Sequence, residues 1–384
     1  MTEKHWVPVW HQAVTRSLMS GKVYGRNKTA AFTFRAPVSG TKIRLTFRNL
    51  YGSGPYEIGT VRVYAGNHSC IVTRENRQSF RILPGEKAVS DACDLEVRRG
   101  DAVEIRIFHP GIIAENNMIE ENAQMFSGDR TIREKGEKSQ KPLLEKIIGA
   151  YGGVPSLELA EVLSEQPARV IAAFGDSITA LSRWTKPLAE RLDEAYPGEY
   201  VLLNSGISGN CLLYEPDGFF GPVFGEKGTS RFERDVLDLP DLHAVILGLG
   251  VNDVSYYTAE TADVINTENY RRAVTEMTER LHSRGVRVIA QTISPRLGVA
   301  RTMEKYTQEM EELRLELNRW IRTAGIFDYV FDAEEVVRDE HKDGLYYAEG
   351  LHQGNHLHPN AEGGKKLAYA YDLARLTGIS DSKE

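Results

Sequence analysis

The sequence predicts two successive architectures, an antiparallel β domain over residues 1–160 and an α/β domain with a parallel sheet over residues 165–384. In the first part apolar and polar residues alternate with period two, which is typical of strands with one solvated face. From Arg169 onward apolar runs alternate with helical patterns, which predicts a parallel sheet covered by helices on both faces. A chain of 384 residues is also long for one hydrophobic core.

The predicted β domain contains short alternating segments separated by turns rich in glycine and proline, and this pattern indicates a β-sandwich or jelly roll. Its clearest strands are Ala31–Phe34, Lys42–Arg48, Thr60–Tyr64 and Ala102–Phe108. Residues 128–143 are charged and poor in apolar side chains, so they are interpreted as a linker or a surface excursion.

The predicted α/β domain has apolar strands alternating with amphipathic helices. The strands are Arg169–Phe174, Glu199–Asn204, His243–Leu249, Val286–Thr292 and Tyr329–Asp332. The helices are Trp184–Tyr196, Asn266–Ser283, Met303–Thr323 and Ala361–Leu376.

Composition excludes several classes of function. The net charge of −7 without a clustered basic face argues against nucleic acid as a partner, and no apolar run reaches the length of a membrane span. The first residues contain no apolar signal segment, so a cytoplasmic location is expected. Cys70, Cys93 and Cys211 have no metal-type spacing and are interpreted as three isolated thiols in a reducing compartment.

Small and polar residues follow the strands of the predicted parallel sheet where each strand ends. The segments are Gly175-Asp176-Ser177, residues 204–210 with Gly209, residues 250–253 with Asn252, and residues 355–360 with His358. The carboxyl ends of parallel strands lie at one edge of a sheet, so these segments should converge. A hydroxyl, a backbone N–H, a side-chain amide and an imidazole are the groups that acyl transfer requires.

Each of these residues alone also has a structural explanation. Ser177 could be a nucleophile or merely the N-cap of the next helix. Gly209 could serve a tight turn, and Asn252 could cap a helix. The order of all four segments, each just after a strand, favours catalysis.

These segments together resemble the SGNH, or GDSL, hydrolases. The resemblance rests on Gly-Asp-Ser-Ile-Thr at 175–179, Ile-Ser-Gly-Asn at 207–210, Gly-Val-Asn-Asp at 250–253 and His-Pro at 358–359. It implies a three-layer, flavodoxin-like domain that hydrolyses esters without a cofactor. It further implies Ser177 as nucleophile, His358 as base, and an oxyanion hole formed by the Ser177 and Gly209 N–H groups and the Asn252 amide.

One position departs from the family pattern. The family usually has aspartate three residues before the histidine, and this chain has Asn355. The Asn355 carbonyl is expected to accept the Nδ1–H of His358 and thereby to fix its tautomer. The alternative is that another acid serves, and the sequence does not rank the candidates Glu349, Asp343, Asp332 and Glu362.

The substrate and two rival functions remain open from sequence. The resemblance, extended by an N-terminal β domain like that of bacterial members, implies short acyl esters, including O-acetyl groups on carbohydrates. Asp176, Tyr214, Phe219 and Phe220, with Phe224, are candidate substrate contacts, although the aromatic rings could equally pack the loop. One rival is a metal site formed by His352, His356, His358 and Glu349. The other is a carbohydrate-binding protein with a degenerate hydrolase domain.

Overall fold

A computed structural model describes residues 4–16, 26–113, 123–139, 154–218, 221–298, 306–342 and 344–379. The chain divides into two compact units. One comprises Met1–Arg169 with Tyr196–Leu203, and the other comprises Val170–Ala195 with Asn204–Glu384. No helix among the described residues is both long enough and apolar enough to cross a bilayer.

The first unit is built from two five-stranded antiparallel sheets and a short β ribbon. The strands are β1 His5–His11, β2 Lys28–Arg35, β3 Gly40–Arg48, β4 Tyr56–Ile58, β5 Val61–Ala65, β6 His68–Val72, β7 Phe80–Ile82, β8 Lys87–Val89, β9 Cys93–Val97, β10 Ala102–His109, β11 Gln124–Ser127 and β12 Leu157–Ser164. One sheet has the order β1-β12-β3-β8, with β9 also paired to β3, and the other has the order β11-β2-β10-β5-β6. The ring of Trp10 in the first sheet lies 4.5 Å from that of Phe32 in the second, as expected of a sandwich.

Two expectations from the sequence can be compared with the structure of this unit. Cys70 and Cys93 form a disulfide with their Cα atoms 6.3 Å apart, so the interpretation of three isolated thiols is wrong for this pair. The spacing of 23 residues gave no sign of the bond, because Cys70 on β6 and Cys93 on β9 come together only where these strands of the two different sheets meet. In the charged segment, Glu137 accepts a 2.9 Å hydrogen bond from Arg106 of β10, which fits a surface excursion.

From Arg169 onward the chain forms a five-stranded parallel sheet. Its strands are β13 Arg169–Gly175, β14 Tyr200–Asn204, β15 Leu242–Gly248, β16 Arg287–Gln291 and β17 Tyr329–Phe331. Their order is β14-β13-β15-β16-β17, the flavodoxin-like arrangement in which the first strand lies between the second and third. Residues 170–174 of β13 are almost completely buried, as their continuous apolar run predicts for an internal strand.

Helices cover the sheet in two groups. The helices are α1 Ser177–Ala180, α2 Thr185–Ala195, α3 Gly228–Phe232, α4 Val251–Tyr256, α5 Thr267–His282, α6 Gln308–Thr323, α7 Ala333–Val337, α8 Ala361–Ala370 and α9 Leu373–Thr377. Helices α2 and α7 pack on α8, whereas α4 and α5 each pack on α6. The prediction of a three-layer α/β domain preceded by antiparallel sheets is confirmed.

The predicted closing helix is interrupted at Tyr371. Tyr371 takes an extended backbone conformation, and the Asp372 carboxylate caps the next helix by accepting from Arg375 N at 3.0 Å. The buried Tyr371 hydroxyl donates to Gln291 Oε1 at 3.0 Å, and its ring stacks on Phe331 at 3.6 Å. These tertiary contacts hold the break, and the helical period of the sequence does not reveal them.

Candidate active site

Ser177 lies at the carboxyl end of the internal strand β13. Its Oγ is 2.8 Å from His358 Nε2, across 181 residues of sequence. The N-cap of helix α1 is Asp176, whose Oδ1 accepts from Ile178 N at 2.9 Å. Ser177 is therefore not the helix cap, and of its two sequence interpretations the hydrogen bond to an imidazole favours the nucleophile.

The segment after β14 packs directly against the Ser177 turn. Ile207 N donates to Gly175 O at 3.1 Å, and Gly206 lies so close to the Ala180 backbone that a Cβ would collide with it. Gly209 has φ +81°, which favours glycine, and the Phe224 ring occupies the space where a side chain would stand. Phe224 thus covers the turn that presents the Gly209 N–H.

The third segment is tied to the second by side chains of helix α4. Asn252 is buried, and its Nδ2 donates to Asn210 O at 3.0 Å, beside Gly209. Asp253 accepts from Leu212 N at 2.7 Å and from Leu213 N at 2.8 Å. These contacts hold the segment 209–213 against the start of α4 and place the Asn252 amide next to the turn at Gly209.

Two buried carboxyl groups support the site. Burial raises the pKa of Asp176 to about 7, against the opposing effect of its hydrogen bond from Ile178. Burial also raises the pKa of Asp253 to about 6, although two backbone N–H groups favour its charged form. Asp176 is only 1% exposed and serves as a helix cap, which is a different place from the substrate contact expected for it.

His358 and Asn355 lie on a loop that folds around the His352 ring. His352 Nδ1 accepts from Gly354 N at 2.9 Å and from His356 N at 3.3 Å, and Gln353 N donates to His358 O at 2.9 Å. His352 is buried, and burial together with the neighbouring His356 lowers its pKa. A neutral imidazole therefore organises the loop that presents His358.

Asn355 contacts His358 in the opposite sense to the one expected from sequence. Its Nδ2 faces His358 Nδ1 at 2.8 Å, while its Oδ1 accepts from Leu357 N at 3.1 Å and His358 N at 2.9 Å. The carbonyl does not reach Nδ1, because the tight turn after Asn355 directs two backbone N–H groups at it.

The other candidate acids lie in other surroundings. Asp332 is paired with Arg322 at 2.7 Å and accepts from Thr292 Oγ1 at 2.9 Å. Glu349 lies 3.6 Å from His352 Nε2, and Glu362 is exposed in the first turn of α8. Asp343 lies outside the described residues.

Glu349, His352 and His356 offer ligand atoms within 4.8 Å of one another. The hydrogen bonds of the His352 ring do not fit the role of a metal ligand. Its Nδ1 accepts two backbone N–H groups, so in the neutral ring the proton is on Nε2, the atom that faces Glu349. A metal-bound histidine instead donates its second N–H outward and binds with a free lone pair.

A buried arginine outside the four motifs joins the Ser177 turn to the second segment. Arg231 Nη2 donates to Gly175 O and Nη1 to Ser205 O, each at 2.9 Å, and Nε donates to Asn210 Oδ1 at 2.9 Å. Asp235 compensates the charge at 3.1 Å. This role was not predicted from the sequence, where the available signal was an arginine and an aspartate four residues apart on one helical face.

The predicted aromatic contacts are only partly described. Tyr214 is half-buried, and its ring centroid lies 5.8 Å from that of Tyr256, the last residue of α4. Tyr256 is one turn beyond Asn252 on the same helix. Phe219 and Phe220 lie outside the described residues.

Comparison with known proteins identifies the family. Solved structures similar to this chain include a GDSL-like lipase from Bacteroides thetaiotaomicron VPI-5482, with 18% identity, a TM-score of 0.39, and coverage of 55% of this chain and 89% of that one. A catalytic mutant of an acetylxylan esterase from Geobacillus stearothermophilus has 17% identity, a TM-score of 0.41, and coverage of 55% and 95%. No curated protein matches the chain. The family model of the GDSL-like lipase/acylhydrolases matches residues 173–366, about half of the sequence and all four polar segments that follow the strands, so the chain belongs to that family.

Proposed function

We propose that this protein is a serine ester hydrolase that acts through an acyl-enzyme. The observation that carries the proposal is the 2.8 Å contact between Ser177 Oγ and His358 Nε2 at the carboxyl edge of the sheet. Donors for an oxyanion lie in the segments packed against this pair, and the family model spans all of them.

In the proposed reaction, Ser177 Oγ attacks the ester carbonyl while His358 Nε2 takes the hydroxyl proton. The negative charge on the carbonyl oxygen is held by the Ser177 and Gly209 N–H groups and by the Asn252 amide. The alcohol leaves with the proton that His358 returns to it. Water then attacks the acyl-enzyme with His358 again as base, which releases the acid and restores Ser177.

We further propose short acyl esters as substrates, including O-acetyl groups of carbohydrates. The resemblance of residues 44–55, 231–235 and 292–295 to bacterial members of the family, among them carbohydrate-active esterases, supports this class. The half-buried pair Tyr214 and Tyr256, one turn from Asn252, offers an aromatic surface of the kind that lines small-molecule sites. A series of 4-nitrophenyl esters of increasing acyl length, together with acetylated sugars, tests both parts of this proposal.

The decisive experiment on the mechanism is Ser177→Ala. We expect turnover to fall to a few per cent or less, because the nucleophile is lost. Ser230→Ala, an exposed serine of α3, is the matched control and should keep full activity. A fluorophosphonate should label the wild-type protein at Ser177. Esterase activity that survives in Ser177→Ala would exclude the serine mechanism.

The second candidate is a carbohydrate-binding protein with a weakened hydrolase site, and the amide contact of Asn355 with His358 favours it. It requires acetylated or free sugars to bind without turnover. Sugar binding detected by calorimetric titration of the wild-type protein, together with no labelling of Ser177 by a fluorophosphonate, would support this candidate over the esterase.

A further inference from the structure

The contacts of Asn355 determine which ring nitrogen of His358 carries the proton. We propose that Asn355 is a positioning residue that holds neutral His358 with its proton on Nε2, facing Ser177, and so keeps the esterase in a low-activity state. An acid at this position would reverse the tautomer and activate the enzyme. This inference rests on the proposed function for its effect on turnover, whereas the tautomer itself can be measured independently.

The first step concerns the orientation of the Asn355 amide. One of its two terminal atoms lies 3.1 Å from Leu357 N and 2.9 Å from His358 N. Both backbone groups are N–H donors, so the atom that faces them has to be the acceptor, Oδ1. The Nδ2 group is thereby directed at His358 Nδ1, 2.8 Å away.

The second step concerns the imidazole. The amide NH₂ group can only donate, so His358 Nδ1 has to accept and cannot carry a hydrogen. A neutral imidazole has a single N–H, which therefore lies on Nε2, 2.8 Å from Ser177 Oγ. In this tautomer His358 donates to the serine and has no lone pair with which to take its proton.

The third step concerns the cost of leaving this arrangement. If the amide turned over, its NH₂ group would face the N–H groups of Leu357 and His358, and two hydrogen bonds would be lost. Donors left without acceptors are expensive, so the reactive tautomer is a minor species. Activity is reduced by the fraction of molecules in that state.

Aspartate at position 355 has nearly the same shape as asparagine and would favour the reactive tautomer of His358. One carboxylate oxygen would keep the two backbone N–H groups, and the other would accept Nδ1–H of His358. The Nε2 lone pair would then face Ser177 Oγ, and the carboxylate would stabilise the imidazolium formed during attack.

The experiment is nitrogen-15 NMR of protein labelled at its histidines, with the His358 signals among the ten histidines identified by their loss in His358→Gln. We expect the Nε2–H tautomer in the wild-type protein and the Nδ1–H tautomer in Asn355→Asp. We also expect kcat/KM of Asn355→Asp to rise at least about tenfold. Gln78→Glu, at an exposed position of the β unit, adds the same charge and should change neither property.

Three outcomes would overturn the inference. If wild-type His358 carries its proton on Nδ1, Asn355 does not hold the Nε2–H tautomer and the inference is wrong, whatever the activity. A tautomer change in Asn355→Asp without a gain in Ser177-dependent turnover would show that the Nε2–H tautomer of His358 does not limit catalysis. An equal gain in Gln78→Glu would assign the effect to net charge. Failure of the proposed function is distinguishable, because Ser177→Ala would then have unchanged turnover while the NMR measurement still reports the tautomer.

Discussion

In the proposed mechanism Asn252 combines a structural contact with an oxyanion contact. Its Nδ2 donates one hydrogen to Asn210 O at 3.0 Å, and the second hydrogen of the NH₂ group is the one proposed to face the oxyanion. The side chain is buried, which strengthens its interaction with developing charge.

We expect Asn252→Ala to lower kcat by about 10²–10³ with little change in KM, because an oxyanion donor acts mainly in the transition state. Steady-state kinetics on a short 4-nitrophenyl ester measures this. Asn67→Ala, at an exposed position of the β unit, is the control. A higher KM with normal kcat would instead make Asn252 a binding residue.

At the scale of elements, Arg231 connects the ends of β13 and β14. It is completely buried, and its guanidinium reaches Gly175 O, Ser205 O and Asn210 Oδ1 at 2.9 Å each. The guanidinium also lies 4.2 Å above the Phe174 ring. No other side chain type presents five N–H donors in a fixed plane, so the relative position of the two segments depends on arginine.

We expect Arg231→Lys to lower the free energy of unfolding by about 2–4 kcal/mol and kcat by about tenfold, because the compact ammonium cannot reach all of these acceptors. Urea denaturation and ester kinetics on the same samples measure the two effects. Arg280→Lys, an exposed arginine of α5, should change neither quantity. Normal kcat in a destabilised Arg231→Lys would confine Arg231 to a role in stability.

The strands of the parallel sheet were predicted within about two residues because each is a continuous apolar run bounded by polar residues. The strands β4, β7 and β8 were among those missed in the β unit, since three residues are too few to show a period of two. Ser177 and His358 were expected to converge because their neighbours form a motif. The amide orientation of Asn355 and the contacts of Arg231 were not predicted, because both depend on backbone groups that only the folded chain brings together.

At the scale of the whole molecule, the buried carboxyl of Asp176 links stability to pH. Burial raises its pKa from the ordinary value of 3.8 to about 7 in the folded chain. Below pH 3.8 the group is largely protonated in both the folded and the unfolded chain, and folding carries no penalty from it. As the pH rises toward 7, the unfolded chain ionises while the folded chain keeps its proton, so stability falls.

We expect Asp176→Asn to become more stable than the wild-type protein as the pH rises from about 4 to about 8, by up to about 4 kcal/mol. The asparagine carbonyl can still accept from Ile178 N and never ionises. Urea denaturation across this range measures the difference, with the exposed Asp238→Asn as control. A constant difference between Asp176→Asn and wild type would show that Asp176 is already ionised in the folded chain.

Asparagine side chains deamidate slowly, so the Asn355 amide can change chemically as the protein ages. Deamidation begins when the following backbone nitrogen attacks the side-chain carbonyl, and here that nitrogen belongs to His356, whose N–H is held by His352 Nδ1 at 3.3 Å. The attack expels ammonia and gives a succinimide, which water opens to aspartate or to isoaspartate. The fraction of old or alkali-treated protein that carries aspartate at position 355 should hydrolyse esters faster than fresh protein, so the age of a preparation becomes a variable in its specific activity.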